Sequence, residues 1–408
     1  MKILALLYDL LTLSLVPYFG FLAVVTAAAL SRRLWQRRTA SVMNGRSRFL
    51  VVIPAHNEAP NIAATVTSCR ALAYDHEAFR IIVVADNCTD ATARAARDAG
   101  AETLERTDPE HRSKGHALEF FFHHLDATGQ GGTYDAVVVI DADTIVAPDL
   151  LVQFSKALAG GADWVQSYYS VSNPDRSWRT RLLTYAFSLF NGVWLLGQDC
   201  LGLSVGFRGN GMCFSARGLS RVPWKAYGLV EDQEFSWMLR AAGERVRFLP
   251  GTGVFGEMVS RGKAAVSQRN RWEHGRSALV SRFFFPILAS KKLGIFTKTL
   301  ALLDLTFPPM MRLANLFLLA VSIHPLASIF PSLYTPAVRL FPIHSAMALT
   351  FSVYAMSPFL SIGLPWKYFA SLSAVPYYVA WKALATFRVR TCSWVRTQRE
   401  EVTNQEPA

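Results

Sequence analysis

The sequence predicts an α/β domain, built on a doubly wound sheet of parallel strands and flanked by transmembrane helices. Short apolar runs alternate with helical stretches from Phe49 to Ala159, the pattern of strand-helix-strand units. Long segments almost free of charge stand on both sides of that region. Hydrophobic residues make up 51% of the 408-residue chain, more than an ordinary soluble enzyme carries.

The first element is an anchor over residues 1–31. Leu10 to Leu30 contains no charged residue, and at about 1.5 Å per residue it is long enough for a hydrocarbon core of roughly 30 Å. TAAAL resembles a signal-peptide cleavage site, but only Lys2 precedes it. Arg32, Arg33, Arg37 and Arg38 follow, which marks a stop-transfer anchor with its C-terminal end in the cytoplasm.

The domain itself runs from 48 to 282. FLVVIP, FRIIVVA and DAVVVI read as buried strands; PNIAATVTSCRAL, TDATARAARDAG, SKGHALEFFFHHL and PDLLVQFSKALA read as the helices between them. Such sheets bind ligands outside the carboxyl ends of their strands, so Asp86, Asp141 and Asp143 are expected at one edge. The first strand leads into PAHNEAPN with no GxGxxG, which excludes a nicotinamide cofactor. Interfacial helices are expected near 176–198 and 276–294, an internal helix being the alternative for the first.

A C-terminal membrane region follows at 299–387. Thr299–Ile323, Ile343–Gly363 and Trp366–Phe387 are candidate spans, but Asp304, Arg312, His324 and several prolines make the first a poor one. Two to three spans are expected, followed by a basic tail at 388–408. Three would leave that tail outside, against the positive-inside tendency.

The net charge of +12 does not indicate nucleic acid. The basic clusters Arg32 to Arg38 and Arg388 to Arg399 flank hydrophobic segments, where they suit an anionic lipid leaflet; the stretch Arg261 to Arg276 looks placed for an acidic ligand. The five cysteines show no CxxC spacing, so neither zinc nor a disulfide framework is indicated, as fits a reduced cytoplasmic domain.

Three short motifs carry chemistry. Asp141 and Asp143 follow a strand; a turn would explain two aspartates, yet two hard oxygen ligands beside a cleft also suit Mg²⁺ or Mn²⁺ bridging to phosphates. Glu231 and Asp232 open a helix; capping would explain them, yet a helix N-terminus favours the carboxylate form and leaves either one able to accept a proton. In QRNRW, Gln268, Arg271 and Trp272 share one helical face, where a guanidinium can grip phosphate and an indole can stack on a ring.

In the order PAHNE, Asp86, DAD, ED and QxxRW, the chain resembles the membrane-bound inverting family 2 glycosyltransferases, among them the cellulose, hyaluronan, chitin-oligosaccharide and poly-N-acetylglucosamine synthases and ceramide glucosyltransferase. The resemblance covers about Phe49 to Arg276. It implies a multi-pass protein of the inner membrane with a GT-A-type, Rossmann-like domain in the cytoplasm, taking a nucleotide-sugar donor, with a UDP-sugar expected, and a saccharide or lipid-linked acceptor. By position, Ala55, Asn57 and Glu58 would lie by the nucleoside, Asp86 by the uracil or ribose, and Lys114 by the diphosphate. Asp141 and Asp143 would hold nucleotide and metal, Asp232 would be the general base beside Glu231, and Gln268, Arg271 and Trp272 would close over the diphosphate and shape the acceptor site. Val230 stands where processive members carry Thr or a similar residue, and FRGNGMCFSARGL matches their acceptor segment only loosely. Exopolysaccharide or cell-envelope glycan synthesis is the expected role; single-sugar transfer to a glycolipid and nucleotide-sugar binding without turnover are the alternatives.

Overall fold

A computed structural model of the chain describes residues 2–35, 46–258, 263–326 and 331–374. Eight strands form one sheet: β1 (Phe49–Ala55), β2 (Phe79–Asp86), β3 (Glu102–Arg106), β4 (Ala136–Val139), β5 (Thr144–Val146), β6 (Trp164–Val171), β7 (Met212–Ser215) and β8 (Val246–Gly256). Their order is β3-β2-β1-β4-β7-β6-β8-β5. The four strands at the β3 end are parallel, as expected. Beyond β4 the sheet becomes mixed: β7 runs antiparallel to both β4 and β6, β5 antiparallel to β8, and β6 parallel to β8.

The helices are α1 (Lys2–Trp35), α2 (Ala59–Arg70), α3 (Thr92–Asp98), α4 (Lys114–Ala127), α5 (Leu150–Ala159), α6 (Trp178–Phe187), α7 (Trp194–Cys200), α8 (Ala216–Arg221), α9 (Glu231–Ala241), α10 (Lys263–Ala289), α11 (Ile295–Thr306), α12 (Met310–Val321), α13 (Ile323–Leu326) and α14 (Pro331–Ser361). Both faces of the sheet are covered, which is why β4 is apolar throughout. Val137 and Val139 pack with Leu118 and Phe121 of α4, whereas Ala136 and Val138 turn to Ile62, Leu151 and Phe154 of α2 and α5.

The core on the α4 side does not stop at the domain. It continues through Trp194 and Leu195 into Phe19, Leu22 and Val25 of α1, Phe317 of α12 and Tyr354 of α14. The Phe19 ring lies 4.7 Å from that of Phe351 and 5.4 Å from that of Phe317. The opposite side of α1 keeps Leu6, Leu7, Leu13 and Val24 exposed, and α14 likewise exposes Val338, Phe341 and Leu349. Ile3–Arg32 and Tyr334–Ser361 are long and apolar enough to cross a membrane.

The expected span Thr299–Ile323 is broken. α11 and the helical stretch Met310–Pro325 meet at 86°, because Pro308 and Pro309 lack the N–H groups that would continue α11 and restrict the residue before each. Ile343–Gly363 falls largely in α14, which begins well before it. Of Trp366–Phe387, residues Trp366–Ala374 form a short 3₁₀ helix; the rest, with the tail 388–408, lies outside the described residues.

The stretch 176–198 folds as α6, a π-helical turn at Ser188–Val193, and α7. Most of it is buried between protein on two sides. Tyr185 donates to the Ala355 carbonyl of α14 at 2.8 Å, and Asn191 to the Tyr169 carbonyl of β6 at 3.0 Å. Helix α7 approaches α1 backbone to backbone: a Cβ on Gly197 would stand 2.0 Å from the Val25 carbonyl oxygen, whereas one on Gly20 would meet nothing within 4 Å.

This contrast predicts opposite effects of one methyl group. Gly197→Ala should overpack the α1–α7 contact and cost about 1–3 kcal/mol, while Gly20→Ala should be neutral or add up to about 1 kcal/mol of helix propensity. Thermal unfolding in detergent reads both; equal melting temperatures would show that α1 and α7 do not pack this closely.

Candidate active site

The carboxyl ends of β1, β2 and β4 open at the same edge of the sheet. After β1, Asn57 adopts φ +55°, and after β2, Asn87 adopts φ +52°, left-handed conformations that asparagine tolerates better than most residues. The two loops are tied together. Asn57 Oδ1 accepts from the Thr89 backbone N–H at 2.7 Å, the Glu58 N–H donates to Thr92 Oγ1 at 2.7 Å, and His56 Nδ1 lies 2.8 Å from the Asp86 carbonyl oxygen. Ala55 is buried, and Glu58 accepts from Asn61 at 2.8 Å. Asp86 is 6% exposed; Arg106 donates to its Oδ1 at 2.6 Å and also to Asp108 at 2.8 Å.

Lys114 brings the remaining acids together. It opens α4, where the Ser113 side chain caps by accepting from the His116 N–H. Its ammonium donates to Asp141 Oδ1 and to the Gly209 carbonyl. Burial draws the ammonium's pKa down, but Asp141, Glu231 and Asp232 around it outweigh burial and raise it. Asp143, two residues on, is half-buried and accepts from the Thr144 hydroxyl at 3.4 Å.

The two acids of ED behave differently from the expectation for a helix start. Burial pushes the Glu231 carboxyl up to about 7, the charge of Asp232 adds to this, and Lys114 opposes it. Burial raises Asp232 too, against the Gln233 N–H, Lys114 and Arg208. The helix dipole is therefore the weaker influence here. Both carboxylates keep some accessible surface, and Asp232 lines a cavity.

The segment FRGNG, residues 207 to 211, sits between Lys114 and α9 and is the part that sequence reasoning underrates. Gly209 has φ +78°, and a Cβ there would lie 3.6 Å from Asp232 Oδ2 and 3.9 Å from Lys114 Nζ. Asn210 is fully buried. Its Oδ1 accepts from the Asp141 N–H at 3.1 Å and its Nδ2 donates to Thr144 Oγ1 at 2.7 Å, so it sets the DAD turn. Ser236 accepts from the Phe207 N–H at 2.7 Å and donates to the Asp232 carbonyl at 2.7 Å, joining loop to helix. The two glycines flanking Asn210 are the sequence signal for this turn.

A cavity of about 320 Å³ opens on Asp232. Arg208, Gln233 and Ser236 line it near that carboxylate, and Phe190, Trp194, Leu279, Phe307 and Met310 form much of its apolar wall. Arg208 and Gln198 are lining residues that sequence reasoning did not single out. Gln268, Arg271 and Trp272 fall in α10, but their side chains lie outside the described residues. The backbone of α10 does pass the ED pair: a Cβ on Gly275 would stand 2.6 Å from the Val230 side chain.

Among the described residues, no three His, Cys, Asp or Glu side chains converge as a metal-binding group. Asp141 and Asp143 nevertheless fit a hard divalent cation, because Mg²⁺ commonly uses one or two carboxylates and completes its shell with ligand phosphates and water.

Comparison with known proteins agrees with this geometry. The family described as "Glycosyltransferase like family 2" matches residues 46–275. A probable glycosyltransferase, YdaM, of Bacillus subtilis is 24% identical over 251 residues, covering 59% of this chain and 58% of its own length. The poly-beta-1,6-N-acetyl-D-glucosamine synthase of Staphylococcus epidermidis is 23% identical over 253 residues, covering 60% of this chain and 58% of its own. The chain thus spans 58% of the length of each of these two relatives. The mannosyltransferase PcManGT of Pyrobaculum calidifontis, solved with GDP-Man and Mn²⁺, superimposes with a TM-score of 0.55 at 19% identity, over 92% of this chain and 99% of that one. That likeness shows a shared GT-A fold.

The role of Asn210 is open to a direct check. Asn210→Leu leaves the Asp141 N–H without its acceptor and removes the donor to Thr144 Oγ1, a loss of roughly 1–3 kcal/mol for buried groups. The melting temperature should fall accordingly; an unchanged value would show that the DAD turn is held by other bonds.

Proposed function

The chain belongs to glycosyltransferase family 2, and from that premise we propose that it moves a sugar from a nucleotide-sugar donor, a UDP-sugar, to a saccharide or lipid-linked acceptor with inversion. Its place would be the cytoplasmic membrane, with the catalytic domain on the cytoplasmic side, where Arg32, Arg33, Arg37 and Arg38 obey the positive-inside tendency. The product would be an exopolysaccharide or cell-envelope glycan. One observation carries the reading: the ammonium of Lys114 is shared by Asp141, from the proposed donor site, and by Glu231 and Asp232, from the proposed base. On this reading donor and base would meet at one point.

In this mechanism Ala55, Asn57 and Glu58 border the nucleoside, and Asp86 meets the base or ribose from its fixed position beside Arg106. Lys114 and Arg271 face the diphosphate. Asp141 and Asp143 would hold Mg²⁺ or Mn²⁺, which when bound offsets the charge that develops on the leaving diphosphate. Asp232 takes the proton of the acceptor hydroxyl as that oxygen bonds to the anomeric carbon; the bond to the diphosphate oxygen breaks and its electron pair leaves with the nucleoside diphosphate. Gln268 and Trp272 close the site around the reacting sugar. Glu231, titrating near neutral pH, tunes the base through its own charge.

The acid–base assignment fixes a pH dependence. A base works unprotonated, and burial raises the Asp232 carboxyl above the ordinary aspartate range, so kcat/KM for nucleoside diphosphate release should rise with pH along a limb displaced upward from that range. Glu231→Gln removes a negative charge beside Asp232, lowers its pKa and should move this limb to lower pH. Asp232→Asn should lose transfer by on the order of 10²–10⁴-fold while still binding the nucleotide. Retained transfer in Asp232→Asn, or a flat profile from acid to neutral pH, would remove Asp232 from this role.

A further inference from the structure

The cavity beside Asp232 has two unlike ends. At one end Asp232 and Arg208 stand at the proposed reaction centre. At the other are Gln198, Arg240 and Asp304. Gln198 is 1% exposed, and neither its amide nitrogen nor its amide oxygen has a hydrogen-bond partner among the described residues; the same holds for Arg240 Nε. A buried amide with both atoms unused is costly and is rarely left so unless something else binds there.

Charge says what kind of group that is. Arg240 donates to Asp304 at 2.5 Å and to the Ser204 carbonyl, and its guanidinium stacks 4.3 Å from the centre of the Trp237 ring. The ion pair matches its own charge, so among the described residues this end offers no surplus cation for a phosphate. It offers neutral donors and an acceptor beside the indoles of Trp194 and Trp237, which line the cavity, a combination suited to the hydroxyls and C–H groups of a sugar ring. Distance is consistent with this. Asp232 and Arg240 are eight residues apart on α9, about 12 Å along the axis, which is longer than one pyranose ring. A smaller cavity of about 230 Å³ lies beyond the same three residues.

Resting on the reading of Asp232 as the residue that faces the acceptor hydroxyl, we infer that the far end of this cavity is a second acceptor subsite. It holds the neutral sugar ring preceding the one that reacts, with Gln198 as the residue that selects for it. The acceptor is then at least a disaccharide, free or at the head of a glycolipid, rather than a lipid phosphate or a single sugar.

The test is equilibrium binding by the full chain in lipid nanodiscs with UDP present, read through tryptophan fluorescence because Trp194 and Trp237 line the cavity. The probes are glucose, N-acetylglucosamine and mannose, a disaccharide of each, octyl glucoside, and a polyprenyl phosphate. At least one disaccharide should bind about tenfold or more tighter than its monosaccharide. Gln198→Leu should abolish that advantage, leaving monosaccharide and UDP binding unchanged, which also shows that the variant folds. A Gln198→Asn variant should keep part of the advantage.

Equal binding of mono- and disaccharides, tighter binding of octyl glucoside or polyprenyl phosphate than of every disaccharide, or an advantage that survives Gln198→Leu would each overturn the inference. If nucleoside diphosphate release still depends on Asp232 in that case, the subsite fails and the proposed function stands. If release is independent of Asp232, the reading of the base fails, whatever the disaccharides do.

Discussion

One buried ammonium constrains the rest of the catalytic domain. Asp141, Glu231 and Asp232 come from a strand end and a helix start far apart in sequence, and in a low-dielectric setting three carboxylates cannot all ionise side by side without a cation among them. Lys114 is that cation. Its reach determines where α4, the DAD turn, the FRGNG loop and the start of α9 must stand relative to one another. Gly209 serves this constraint through its φ of +78°, a left-handed turn that glycine adopts without strain and that carries the loop past the ammonium and Asp232. So does Asn210, whose two hydrogen bonds hold the aspartates of the turn in place.

The second constraint is continuity of the core. Apolar side chains run without interruption from the α4 face of the sheet into α1, α12 and α14, so the membrane-type helices are packed onto the domain rather than merely tethered to it. Gly197 permits the closest of these approaches. The cavity at Asp232 forms where the two parts meet, with α9 on one side and the proline break between α11 and α12 on the other. A straight helix in place of that break would not set Phe307 and Met310 against the cavity as the bend does. The same sequence feature that makes a poor membrane span therefore supplies a wall of the proposed acceptor site.

Much of this was legible in the sequence because its physical causes are local. The runs at β1, β2 and β4 are apolar throughout because both faces are covered, and the aspartates after them fall at the ligand-binding edge by a rule of topology. The order PAHNE, DAD, ED, QxxRW carried the family. What was not legible depends on distant partners. β7 has four residues and owes its place to pairing with β4 and β6, which no local period announces. The ionisation of ED followed burial rather than the helix dipole, and burial is a property of the assembled fold. Gln198 sits in an apolar stretch where a lone amide carries no signal until its two unused atoms are seen beside a cavity. Asp86 falls at the edge that topology predicts, but its engagement with Arg106, and that of Asn57 with Thr89, is not foreseeable from spacing.

The most direct test of the central claim is a double-mutant cycle in thermal stability between Lys114→Met and Asp232→Asn, measured at pH 8, where the acids are most fully ionised. Lys114→Met alone strands the buried carboxylates without their cation and should cost on the order of 3 kcal/mol or somewhat less, given that the group is partly accessible. If one ammonium offsets all three acids, neutralising Asp232 in the Lys114→Met background should restore part of that loss, leaving the double variant more stable than the sum of the two single changes allows. Strictly additive losses would contradict the account, because they would mean that Lys114 and Asp232 do not act on one another.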